Sequence, residues 1–315
     1  RTDMWARIQP KHRTADIKKS ADGAVLRKLR SFLDAAEPEL VYWLTTLHAE
    51  QGKAITYKEL REAILAGEIS ADLLEEWQQD YVRFVTEHMD PAWSGAISAA
   101  AAGIAQRYPA FSFDPYADGV RSWVEERGAA FVTSSTAAQI DGLRAVVRRA
   151  AVLADINVDT LARAIRPMVG LYHQQSVANL NYFTGLLESG MKEKKALDLA
   201  ARYGARQHRY RGYLIARTEL AFAYNQGSYQ GTKQAQEAGY MGEVVKVWST
   251  AMDERTCPIC GALEGKEIAM DEDFNFPTKL AGRMGTIQRV PPAHPSCRCA
   301  VEYREVTPPV IETSG

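Results

Sequence analysis

The stretch Ala238-Gly239-Tyr240-Met241-Gly242-Glu243-Val244-Val245-Lys246-Val247-Trp248-Ser249-Thr250 is where the pattern of the chain changes. Before it, apolar residues recur every three or four positions, the period of helices packed on one face. Within it, β-branched and aromatic residues crowd Val244 to Trp248, which reads as a strand. Gly239 is a natural helix stop. Beyond it Pro, Gly and Asp become frequent from Asp253 to Pro295. A second strand is expected from Cys299, where Cys299, Val301 and Tyr303 alternate with Ala300, Glu302 and Arg304. The fold class that follows is a mainly α N-terminal helical domain and then a small α+β C-terminal domain. The expected boundaries are 1–240 for the helical part, divisible near 130, then 241–306, then a loose tail over 307–315.

Working back from Gly239, the spacing predicts helices over Pro38 to His48, Ala71 to His88 with Ser70 as N-cap, and an Ala-rich helix opened by Asp90-Pro91 and ending near Tyr108. Two more are expected around Asp114 to Arg127 and Ser134 to Ala154. Asn157 caps a short helix stopping near Pro167, and Gln175 to Ser189 ends at Gly190. Lys192 to Ala238 reads as one interrupted helix or two, with breaks at Gly204 or Gly212.

At 315 residues there is length for one large or two ordinary cores. A formal net charge of -1 argues against a uniformly basic nucleic-acid-binding protein, so any DNA contact must come from a local patch. The Ala-rich run from Ala96 to Ala105 is too short to cross a bilayer, so no membrane contact is expected. The first twenty residues lack an apolar core, and export by a signal peptide is not expected.

All four cysteines lie between Cys257 and Cys299. The spacing is Cys257-Pro258-Ile259-Cys260, then His294-Pro295-Ser296-Cys297-Arg298-Cys299. A CxxC turn sets two thiolates on one side of a tight loop, and two residues of an extended Cys297-Arg298-Cys299 face the same way. With His294 this makes five candidate ligands for a structural zinc that needs four. Disulfides, or buried free thiols, are the competing readings.

Several segments then read as one signature. They are Arg217-Thr218-Glu219, Tyr224-Asn225-Gln226-Gly227, Val247-Trp248-Ser249-Thr250, and Asp253-Glu254-Arg255-Thr256-Cys257-Pro258-Ile259-Cys260. Leu263-Glu264-Gly265-Lys266, Phe276-Pro277 and Pro291-Pro292-Ala293-His294-Pro295-Ser296-Cys297-Arg298-Cys299 complete it. Upstream, Ile165-Arg166-Pro167-Met168-Val169-Gly170-Leu171 and Asn181-Tyr182 fit the same pattern. Over residues 160 to 305 the chain resembles the phage Mu F-like head morphogenesis family, which includes minor capsid proteins. The resemblance implies a structural protein, not an enzyme. It implies a few copies inside the capsid of the virion, assembled in the host cytoplasm, with the portal protein and the major capsid or scaffolding protein as partners. The role implied is help in head assembly or in DNA packaging and ejection.

Between Arg202 and Arg217 there are five arginines and no acidic residue. Arg202, Arg206 and Arg209 share a helical face, and Arg211 is grouped with them as a contact to double-stranded DNA or an acidic partner. A solvated or salt-bridged face is the alternative. The enzymatic alternative is a zinc-supported nuclease acting on packaged DNA, and His294 is the single histidine of the C-terminal unit to serve it.

Overall fold

The computed structural model describes residues 23–275 and 287–307. The expected tail beyond Thr307 and the Phe276-Pro277 dipeptide lie outside the described residues. Helices dominate up to Glu237, and a small sheet follows, as the change of pattern after Gly239 implied.

Ala24–Ala54 (α1) extends the expected Pro38 to His48 helix in both directions and runs straight through Pro38. Tyr57–Ala66 (α2) was not foreseen, although its signals are in the sequence. Thr56 Oγ1 accepts from Glu59 N at 3.2 Å while Glu59 reaches back to Thr56 N at 2.7 Å, a capping box, and Gly67 closes the helix. Ala71–Phe84 (α3) passes through one π-helical turn, Val85–Met89, into Asp90–Arg107 (α4). Asp90-Pro91 therefore does not break the chain. The wide turn falls where the Pro91 ring would otherwise meet the carbonyl of residue 87.

Asp118–Ala150 (α5) is one helix where two were expected. No break falls between Arg127 and Ser134; the hydroxyls of Thr133 and Ser134 bond back to the carbonyls of Ala129 and Phe131 within the helix. Val158–Ile165 (α6) is capped by Asn157, whose side chain accepts from Asp159 N. His173–Glu188 (α7) ends at Gly190, which has a positive φ. Glu193–Glu237 (α8) is a single unbroken helix of 45 residues, so neither Gly204 nor Gly212 interrupts it.

The sheet has Glu243–Ser249 (β1) at its centre. Glu267–Ala269 (β2) and Ala300–Thr307 (β5) flank it, both antiparallel. A short ribbon pairs Phe274–Asn275 (β3) with Ile287–Gln288 (β4). Trp248 is fully buried and meets Phe274 edge-on at 5.0 Å, in a core role.

Helix α8 threads every core of the molecule. Leu220 and Tyr224 join Leu44, Trp93 and Phe131. Nearer its start, Ala196 and Ala200 pack with Leu143, Ile165 and Phe183. Near its end, Tyr229 packs with Trp248, Leu263 and Phe274. Burying a side chain the size of Phe131 contributes about 2 kcal/mol.

Two helices meet backbone to backbone at Gly227. A Cβ there would lie 2.3 Å from the Ile97 carbonyl oxygen and 2.5 Å from Ile97 Cα, so the backbones of α4 and α8 touch. Backbone cannot move aside as a side chain can. Gly227→Ala is expected to destabilise the protein by about 3 kcal/mol or more, seen as a lowered urea midpoint with the m-value retained.

Polar groups are buried where α1, α3, α5 and α8 meet. Tyr81 donates to Gln139 Oε1 at 2.7 Å, and His48 Nε2 lies 3.3 Å from the Tyr81 hydroxyl. His208 Nε2 donates to the Pro167 carbonyl at 3.0 Å, and Arg211 donates to the Gly170 carbonyl. Gly170 is required twice over, having φ +91 and leaving room for the His48 ring, which a Cβ would approach to 2.7 Å. Burial, with the Arg211 cation nearby, pushes both histidines down, His208 to about 4. The unfolded chain therefore binds more protons than the folded one between pH 6.5 and about 4. Stability is full above that window and falls as pH drops through it. His208→Gln, which keeps a donor for Pro167, is expected to flatten the fall in urea midpoint between pH 7 and pH 4.5.

Candidate metal centre

After β1 the chain turns at Thr250 and Met252, and Met252 has a positive φ. Asp253 organises the next turn. Its carbonyl accepts from Thr256 N, and its Oδ1 accepts from Arg255 N at 3.1 Å, so the side chain caps the turn. Cys257 then caps a one-turn helix, Pro258–Gly261 (α9), its Sγ accepting from Cys260 N at 3.4 Å. This is the geometry a CxxC needs to present both sulfurs to one side.

The second half is shaped against α8. Cys297 N donates to the His294 carbonyl, making a turn in which Ser296 has φ +57. Thr218 Oγ1 accepts from Ser296 N at 3.0 Å. Asn225 brackets the start of β5, its Nδ2 donating to the Cys299 carbonyl and its Oδ1 accepting from Val301 N.

Five donors converge. His294 Nε2 lies 3.1 Å from Cys257 Sγ and 3.3 Å from Cys260 Sγ, and Cys260 Sγ lies 3.6 Å from Cys297 Sγ. The donors form two triads sharing Cys260: Cys257, Cys260 and His294, and Cys260, Cys297 and Cys299. Within each triad the ligand atoms lie within 4.8 Å of one another. Zinc bonds of about 2.0 Å to nitrogen and 2.3 Å to sulfur place tetrahedral neighbours about 3.5 Å apart, so the contacts of 3.1 to 3.6 Å around Cys260 and His294 are those of neighbouring ligands. His294 Nδ1 lies 2.9 Å from the Pro295 carbonyl, which takes its N–H, so Nε2 is the nitrogen that faces the sulfurs. All four cysteines are free thiols, and all but Cys257 are buried.

The electrostatics are those of donors competing for few protons. Cys257 is held down to about 4 by its hydrogen bond with the Cys260 thiol, with His294 adding to the effect. Cys297 is lowered too, again first through Cys260, while Cys260 is raised by its bonds to Cys257 and Cys297. Burial pushes His294 down, but Cys257 and Cys297 outweigh it and bring it to about 9. Arg298 holds Asp253 down to about 2.

The expected arginine face is reshaped. Arg202, Arg206 and Arg209 are exposed on α8, with Arg202 3.1 Å from Asp198 and Arg206 over the Tyr203 ring. Arg211 is only 4% exposed and does not belong with them. Nine residues beyond Arg202 is two and a half turns, which carries it to the opposite side and into the buried polar cluster. Arg217 and Glu219 are neither exposed charges nor partners of each other. Arg217 Nε donates to Glu37 at 2.6 Å, and Arg127 grips Glu219 with two hydrogen bonds, so they tie α8 to α1 and α5.

The sequence reading overlooked the parts played by Thr218, Asn225 and Arg298, although each lies inside a segment quoted in the signature. Their cue was adjacency to a motif.

The molecule thus defined is a helical protein whose longest helix carries a small three-stranded unit with a cysteine and histidine cluster. Residues 149–302 match the family described as Phage Mu protein F like protein, and over that segment the chain is similar to this family. Nothing matches among curated proteins or solved structures. No helix of the described residues is long and apolar enough to cross a membrane.

Proposed function

We propose that this chain is a minor head protein of a tailed phage, bound to the portal inside the capsid, where it assists head assembly or DNA packaging and ejection. The carrying observation is the family match, whose 149–302 span takes in α6 to α8 and the whole cysteine and histidine cluster. That family supports a head morphogenesis protein, and with it structural work rather than catalysis. Major capsid or scaffolding protein is the further partner on this reading. If it holds, the chain co-purifies with portal protein from procapsids; procapsids that carry portal but lack this chain would overturn it.

On the same reading the cluster holds one structural zinc through four of Cys257, Cys260, His294, Cys297 and Cys299. Bound, the ion would neutralise thiolates and fix the CxxC turn against the segment preceding β5. Thiolate-rich, largely buried donor sets with no spare position suit structural rather than catalytic zinc. His294 Nε2, the group a nuclease would need as a base, faces the sulfurs of Cys257 and Cys260. Protein made in a reducing cytosol is expected to carry about one zinc per chain. Four freely titrating thiols with no bound metal would refute the site.

Arg202, Arg206 and Arg209 are the residues for contact with packaged double-stranded DNA or an acidic partner surface. If DNA binds there, the triple Ala variant is expected to lower the slope of log affinity against log salt by about two to three. An unchanged slope removes the face from the reading.

A further inference from the structure

Between Cys297 and Cys299 lies Arg298, whose guanidinium reaches Asp253. Its NH1 and NH2 each donate at 2.6 Å to the two carboxylate oxygens of Asp253, a fork-to-fork pair. Both side chains are about three-quarters buried. Asp253 is also the residue whose carboxylate and carbonyl shape the turn leading into Cys257. One ion pair therefore joins the organiser of the CxxC turn to the middle of the Cys297-Arg298-Cys299 run, across 45 residues of sequence.

The two segments are otherwise anchored differently. Cys297 and Cys299 are fixed to α8 through Thr218 and Asn225. The CxxC turn is braced mainly from its own side, by Thr250 N donating to Glu264 and by Gly265 N donating to the Trp248 carbonyl.

We propose that Asp253 and Arg298 form a latch that closes the CxxC turn onto the strand segment and preorganises the donor set for its ion. This rests on the metal reading above. The two hydrogen bonds of the pair run between Arg298 and Asp253, and the Arg298 charge is also felt at Cys297 and Cys299; the latch acts by fixing where the sulfurs stand. A lysine cannot replace the arginine, because the fork supplies two parallel bonds in one plane.

The test uses the full-length chain purified with zinc under reducing conditions, as wild type, Asp253→Asn, Arg298→Gln, the double variant and Arg298→Lys. Zinc release to an excess of a chromogenic chelator is followed in time. Each single variant is expected to release zinc about tenfold faster than wild type, the size usual for losing a partner that orients ligands. The double variant should be no faster than the faster single, because both remove the same interaction. Arg298→Lys, the mildest change, should behave like Arg298→Gln while keeping the helical circular dichroism of wild type. Release within about twofold of wild type in both single variants, or effects that add in the double, overturns the latch. If wild type carries no zinc, the metal reading fails on its own. The latch is then judged by iodoacetamide labelling of Cys260 and Cys297, mapped by mass spectrometry. Faster labelling in Asp253→Asn supports it, and equal labelling overturns it.

Discussion

The backbone of α8 rests on the backbone of α4 because residue 227 has no side chain. That contact sets the rotation of the long helix, and the rotation assigns its remaining faces. Leu220, Tyr224, Gly227 and Gly231 fall at i, i+4, i+7 and i+11, one stripe turned to the helical core. Thr218, Phe222, Asn225 and Tyr229 repeat the same spacing two residues earlier and make a second stripe. Thr218 and Asn225 hold the backbone that carries Cys297 and Cys299, and Phe222 and Tyr229 enter the core of the small sheet. A single helix thus serves as wall for one core and floor for another, and a shift at Gly227 would disturb both.

A second constraint is how the interior handles charge. Arginine keeps its proton even when buried, so a buried guanidinium must find acceptors. Two arginines here, the buried Arg211 and the half-buried Arg166, use backbone carbonyls as acceptors. Arg211 and His208 reach the carbonyls of Gly170 and Pro167 just after α6, and Arg166 reaches those of Gly52 and Lys53 at the end of α1. Carboxylates are used where two helices lie side by side, as in Arg127 with Glu219 and Arg217 with Glu37. The stretch from Ile165 to Leu171 therefore reads as a corner gripped from several helices, which accounts for so many of its residues being buried.

The change from helix to sheet was legible because period and composition changed together at Gly239. Helix ends marked by Asn157, Gly190 and Gly239 were legible because capping is local. What failed was continuity. Gly204 and Gly212 read as breaks, yet each is where another element comes close: Asn179 and Pro167 at the first, Val41 and Thr45 at the second. A glycine that stops a helix and one that admits a neighbour look alike in sequence, and only the partner tells them apart. Arg211 was misplaced for a related reason. Charge content was read along the chain, whereas the angle around α8 decides which arginines meet water. In the cluster, spacing brought all five donors into view, but it could not show that they form two triads sharing Cys260.

The small sheet shows why its chemistry is concentrated where it is. Among the described residues its buried core comprises Tyr229, lent by α8, and nine residues of its own, of which Cys260, Cys297 and Cys299 are three. A free thiol packs as a small hydrophobe and brings less apolar area than leucine or valine. The strand at the centre of the sheet adds a buried amine. Lys246 Nζ donates to the carbonyls of Glu272 and Arg289 and lies over the rings of Tyr229 and Phe274. Burial and the neighbouring Arg289 lower it to about 8. Each of these groups is a poor core residue alone, since each brings a polar atom that must be satisfied. Together they stitch distant stretches of chain, Lys246 tying β1 to the turns beside β3 and β4, and the sulfurs tying the CxxC turn to the approach of β5. Directed interactions between loops thus hold this unit, which makes the position of each donor a quantity its sequence has to specify.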